Sequence, residues 1–136
     1  MKKVGFVFNS ERIIGGGELS FIDLVGEIRK LGVSPVVFVP GPGEVIDRIV
    51  ALGVAVHKTP WPPIRLRSIV DLPLRHARLA GLFRELGLDL IHANGARCML
   101  YAGPAARRAG IPCVWHVRVL ERDMILDRIR ARYARV

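Results

Sequence analysis

Three observations predict an α/β domain built on a mostly parallel sheet with helices on both faces. Apolar runs of strand length alternate five times with stretches of helix length, joined by short turns marked by Gly or Pro. The apolar runs are nearly continuous, as in Val4-Gly5-Phe6-Val7-Phe8, whereas a strand with one wet face would alternate. At 136 residues, 51% of them hydrophobic, the chain suffices for one core.

The elements follow in order. Lys3 to Asn9 reads as the first strand and Glu18 to Leu31 as the first helix, closed by Gly32. In that helix Ser20, Asp23, Glu27 and Lys30 recur at spacings of three and four, which leaves one narrow wet face. Ser34 to Val39 is the second strand, and PGPGE turns the chain into a helix from Glu44 to Leu52. Ala55 to His57 is a short third strand, followed by the loop TPWPPIRLRS and a helix from Ile69 to Leu86. Leu90 to Ala93 is the fourth strand, Met99 to Ala109 a helix ended by Gly110, and Pro112 to Val117 the fifth strand. The pattern predicts a doubly wound, Rossmann-like α/β/α single domain over residues 1–120. A basic amphipathic helix over residues 121–136 completes it. Its apolar stripe, Leu126, Ile129, Tyr133 and Val136, needs cover from a membrane or, on the plainer reading, from the remainder of a larger protein.

Composition narrows the function classes. The formal charge of +9, mostly arginine, favours polyanions or phosphorylated ligands, although a merely solvated basic surface fits as well. No apolar run approaches the roughly 18 residues of a membrane span. Cys98 and Cys113 form neither a disulfide framework nor a zinc-ligand spacing, so reduced, buried thiols of a cytoplasmic protein are expected. No recognition helix or RNA-binding motif appears, so nucleic acid ranks last among the partners.

In a doubly wound sheet, ligands gather where strands end. Gly15, Gly16 and Gly17 place unhindered N–H groups at a helix start, which suits a phosphate but also describes a plain connector. The run is neither G-x-G-x-x-G nor a P-loop. His116 and Arg118 lie two apart at the end of the fifth strand and share a face there. Asn94 ends the fourth strand, while His92 inside it reads as a core residue. Trp61, Arg65 and Arg67 sit in the proline-rich loop, where an exposed indole beside arginines would meet an anionic acceptor or a lipid headgroup. A rigid loop folding Trp61 onto the core is the alternative.

Gly-Gly-Gly-Glu opening a helix at Gly15, followed by N-G-A-R, Y-A-G-P-A-A-R-R-A-G-I-P and W-H-V-R between Asn94 and Arg118, resembles the N-terminal domain of family 4 glycosyltransferases. These are retaining, nucleotide-sugar-dependent enzymes of the GT-B architecture. The resemblance implies that Gly16 and Gly17 near the donor diphosphate and the acceptor. It implies that Glu18 follows that loop as an acidic or capping residue, and that His116 approaches the donor sugar as the catalytic position. Arg118 and Asn94 would line the interdomain cleft. It further implies front-face attack, no cofactor and no metal, and a glycan or glycolipid acceptor met at the inner face of the membrane. The family's second Rossmann domain, with its Glu-x7-Glu pair, has no counterpart in these 136 residues, whose glutamates form no such pair. The chain is therefore expected to transfer no sugar by itself. The alternative is a non-catalytic Rossmann-type module for a nucleotide or phosphorylated ligand.

Overall fold

The computed structural model describes residues 1–63, 65, 69–118 and 124–135. Among the described residues, five strands and five helices alternate: β1 (Lys3–Val7), α1 (Gly16–Lys30), β2 (Ser34–Val39), α2 (Glu44–Ala51), β3 (Ala55–Lys58), α3 (Leu72–Glu85), β4 (Leu90–Asn94), α4 (Ala96–Ala109), β5 (Cys113–His116) and α5 (Met124–Ala131). All strand pairs are parallel, in the order β3-β2-β1-β4-β5. The chain winds outward from β1 to β3, then returns to β4 on the other side of β1. The two windings diverge between β1 and β4, and the loops leaving those strands open a crevice there.

The sheet separates two apolar layers, as continuous apolar strands require. Val4, Phe6, Phe8, Val37 and Val39 pack against Phe21, Ile22 and Val25 of α1 and Val45 and Ile49 of α2. Val7, Val36, Phe38, Ile91 and Ala93 face Leu79, Ala80 and Phe83 of α3 and the inner side of α4. Cys98 and Cys113 are free thiols buried in this second layer, and burial pushes both up to about 12.

Pro104 lies inside α4, where it removes the N–H that Leu100 O would otherwise accept. His76 on α3 supplies the substitute, its Nε2 standing 3.0 Å from Leu100 O. A carbonyl only accepts, so His76 donates. Burial, against the pull of that bond, lowers the imidazole below its ordinary range.

The terminal segment differs from the expected single helical stripe. After α5 the chain turns, and Tyr133 packs on α4, where a Cβ added to Gly103 would come within 2.8 Å of the Tyr133 Cβ. Arg135 N–H donates to Cys113 O at 2.9 Å. Tyr133 therefore belongs to a different contact from Leu126 and Ile129, which stay about two-fifths exposed. Val136 and Glu121 lie outside the described residues.

Candidate functional site: a crevice at the strand ends

Glycine makes the first wall possible. Gly15 precedes α1, and its N–H donates to Glu18 Oε2 at 2.9 Å, so Glu18 serves as a cap for its own helix. Gly16 and Gly17 are first-turn residues whose N–H groups have no intrahelical acceptor. No atom beyond the helix's own stands within 4 Å of a Cβ built on Gly15 or Gly16, so the space above them is open.

Arg118 joins this wall to the next. Its Nε donates to Asn94 Oδ1 at 2.6 Å and its Nη1 to Ser20 Oγ at 2.7 Å, which ties the end of β4 to the first turns of α1. The same Nη1 lies 3.9 Å from where a Gly17 Cβ would be, so the guanidinium rests beside the glycine run. Gly95 connects β4 to α4 with φ +101°, a conformation that glycine alone enters readily, and its N–H donates to His116 O at 3.0 Å. Asn94 is buried, and its Nδ2 has no hydrogen-bond partner among the described residues.

His116 and His92 meet edge to face, with ring centroids 5.4 Å apart. Burial, then the Arg118 charge, lowers the His116 imidazole below its ordinary value. His92 is held lower still, to about 4, by burial first and then by His116 and Arg118. Both rings are consequently neutral at pH 7, and each can offer a lone pair. His92 also tilts against Phe6 at 5.1 Å. It is a half-buried packing residue, as its position inside the strand suggested, but it also backs His116.

Gly15, Gly16, Gly17, Glu18, Asn94, His116 and Arg118 thus share one crevice at the β1–β4 divergence. Ser20 is the residue that sequence reasoning left on a merely wet face, although its place one turn beyond the glycines was a usable signal. The proline-rich loop is a correction. Trp61 is only 3% exposed, donates from Nε1 to Phe8 O at 3.1 Å and packs 5.5 Å from Tyr101. An indole sealed in this way meets neither a lipid nor an acceptor. Prolines on both sides stiffen the loop, and the buried carbonyl of Phe8 provides a partner that solution cannot improve on. Arg65 is exposed, and Arg67 lies outside the described residues.

A second strap closes the outer side. Val45 N–H donates to Glu11 O at 3.2 Å, and Ile13 N–H donates to Glu44 Oε2 at 3.2 Å. The loop that carries the glycines is thereby fastened to the start of α2. A surface depression lined by Gly26, Glu27, Arg29, Lys30 and Leu52 lies toward the other end of α1, away from this chemistry.

A sheet of this order, with glycine-lined helix starts and polar side chains at its divergence, is that of a Rossmann-like α/β domain with a ligand crevice at its strand ends. The profile of Glycosyltransferase Family 4 matches residues 14–135, and the chain belongs to that family. Among solved structures, Anabaena HepE, determined with UDP and glucose, is 22% identical with a TM-score of 0.73; the match covers 98% of this chain and 35% of HepE. MurG from Acinetobacter baumannii is 14% identical with a TM-score of 0.74, over 99% of this chain and 40% of MurG. A protein described as a putative UDP-N-acetylglucosamine 2-epimerase from Listeria monocytogenes is 10% identical with a TM-score of 0.68, over 99% of this chain and 38% of its own. The chain therefore spans about 35 to 40% of these neighbours. A comparison with curated proteins returns no match. Among the described residues, no helix is long and apolar enough to cross a membrane.

Proposed function

We propose that this chain forms the acceptor-side wall of a retaining, nucleotide-sugar-dependent glycosyltransferase that transfers a hexosyl group to a glycan or lipid-linked acceptor. The observation that carries the reading is that the unhindered glycine run, the Arg118 fork and the neutral His116 lie at one end of the sheet. The HepE structure, which shares the fold over 98% of this chain and holds UDP and glucose, supports the ligand class.

Each group then has a role that its chemistry allows. N–H groups of Gly16 and Gly17, at the partly positive end of α1, favour the diphosphate oxygens. Arg118 adds a full positive charge where negative charge accumulates on the leaving group. Asn94 and Ser20 hold the guanidinium in place, so little reorganisation is needed during reaction. His116, neutral because of burial and Arg118, accepts a hydrogen bond from a sugar hydroxyl. The departing diphosphate takes the acceptor proton on the same face, which retains the anomeric configuration. A second, donor-binding domain completes the cleft, and catalysis uses no metal. A setting at the cytoplasmic face of a membrane, in glycan assembly, fits a lipid-linked acceptor.

One wall should hold the donor weakly. Calorimetric titration of this chain with UDP-glucose should give a Kd of about 1 mM or weaker, near the 4 kcal/mol of a few exposed polar contacts. Submicromolar nucleotide binding would instead identify a self-sufficient nucleotide module.

A further inference from the structure

At the opposite end of the sheet from the crevice, the returning terminal segment borders an open cavity of about 230 Å³ against the end of α4 and the start of β5, rimmed by exposed arginines. Its lining includes Arg107, Arg132 and Arg135, together with Tyr133, Gly110 and Cys113, and contains no acidic residue. Arg107 lies over the Tyr133 ring at 5.9 Å from its centroid. None of the three guanidiniums makes an ion pair or a side-chain hydrogen bond among the described residues. Their neighbour Arg130 shows the contrast, because it pairs with Asp127 at 2.6 Å.

The ordinary explanation for arginine here is the negative end of α4, since Arg107 and Arg108 occupy its last turn. That end carries only about half an elementary charge, which one arginine covers. Three around one cavity overshoot it, and two of them come from a segment outside the helix. Three like charges around one cavity without counter-charge repel one another across the contact of the terminal segment with α4, and a bound oxyanion would reverse that repulsion. The cavity is several times the roughly 30 Å³ that a water takes in the liquid, so a tetrahedral oxyanion fits. Guanidinium forks match phosphoryl oxygens in geometry as well as charge.

We propose that Arg107, Arg132 and Arg135 form a second phosphoryl-binding site, separate from the strand-end crevice, that clamps the terminal segment onto α4 when a phosphate group occupies it. The site does not depend on the glycosyltransferase reading. Its ligand is a phosphate monoester or diester, either free in solution or on the headgroup of an anionic lipid at the membrane surface.

The test compares the full chain with Arg107→Gln/Arg132→Gln/Arg135→Gln and with a control of equal charge change, Arg48→Gln/Arg78→Gln/Lys58→Gln. Inorganic phosphate, against chloride at matched ionic strength, should raise the melting midpoint of the parent and the control by about 3–5 °C. The triple arginine variant should lose most of that rise, and this difference separates the cavity from the crevice. Co-sedimentation with phosphatidylglycerol vesicles, against phosphatidylcholine alone, provides the second arm. A response to phosphate only assigns a free ligand, and one to vesicles only assigns a lipid headgroup. The control must bind as the parent does in either arm, and the arginine variant at least tenfold more weakly. Equal loss in both variants, or no response in either arm, overturns the proposal. Arg107→Lys/Arg132→Lys/Arg135→Lys, which keeps the charge and the fold, should retain part of the binding.

Discussion

Gly43→Ala is expected to lower the melting midpoint by about 10 °C, whereas Gly41→Ala, two residues earlier, should change it little. Both glycines lie under the loop that carries the glycine run, and an alanine at either would meet Glu11. At Gly43 the added Cβ would stand 2.3 Å from the Glu11 carbonyl oxygen, a backbone atom that also accepts from Val45 N–H. Nothing local can rotate away, so the β1–α1 connection must shift and the strap from Glu11 to α2 must loosen. The cost is about 2–3 kcal/mol, in the upper part of the scale for overpacked sites. At Gly41 the closest atom is Glu11 Oε1 at 2.5 Å, the free end of a side chain that can swing outward. Calorimetry on the two variants separates these outcomes, and equal destabilisation would contradict the role assigned to the strap.

His116→Ala should reduce sugar transfer by the enzyme containing this domain by at least about a hundredfold, with the melting midpoint nearly unchanged. The ring is partly exposed, and its packing partner is the edge of His92, so its loss leaves no large cavity. What disappears is a neutral acceptor beside a guanidinium held by Asn94 and Ser20. Arg118→Lys provides the companion result, because one ammonium cannot reproduce a fork that reaches Asn94 from Nε and Ser20 from Nη1. Charge is kept, geometry is lost, and transfer should still fall about tenfold or more. The pH profile carries the same argument. Burial and Arg118 hold His116 below its ordinary 6.5, so it stays neutral down to a lower pH than a free imidazole. Activity should therefore persist as pH drops through 6.5 and decline only beneath it. An unchanged rate in His116→Ala would remove the residue from the chemistry.

The sheet was legible because covering both faces of a parallel strand demands continuous apolar side chains, and those runs are visible as letters. Helix starts were less so. The helix read from Ile69 begins at Leu72, which puts Pro73 in its first turn, where no N–H is required of it. The helix read from Met99 begins at Ala96, since Gly95 at φ +101° completes the turn within one residue. Asn94, His116 and Arg118 were recognisable by their place at strand ends. Their mutual geometry was not, because it depends on α1 lying close enough for Ser20 to meet Arg118. Trp61 misled for a related reason. Composition places an aromatic among prolines and arginines at a surface, yet the acceptor for its N–H is a strand-end carbonyl 53 positions earlier. The terminal stripe failed at one turn: residues beyond Ala131 leave the helix, so a periodicity drawn through Tyr133 joined contacts that the fold keeps apart.

On the proposed function, the strand-end crevice is one wall of a transferase cleft whose donor is held chiefly by a second domain. Transfer from UDP-glucose, followed with this chain alone and with the same chain joined to a GT-B donor-binding domain, tests it most directly. No turnover is expected from the chain alone, and turnover that depends on His116 is expected from the joined enzyme. Turnover by these 136 residues without a second domain would contradict it.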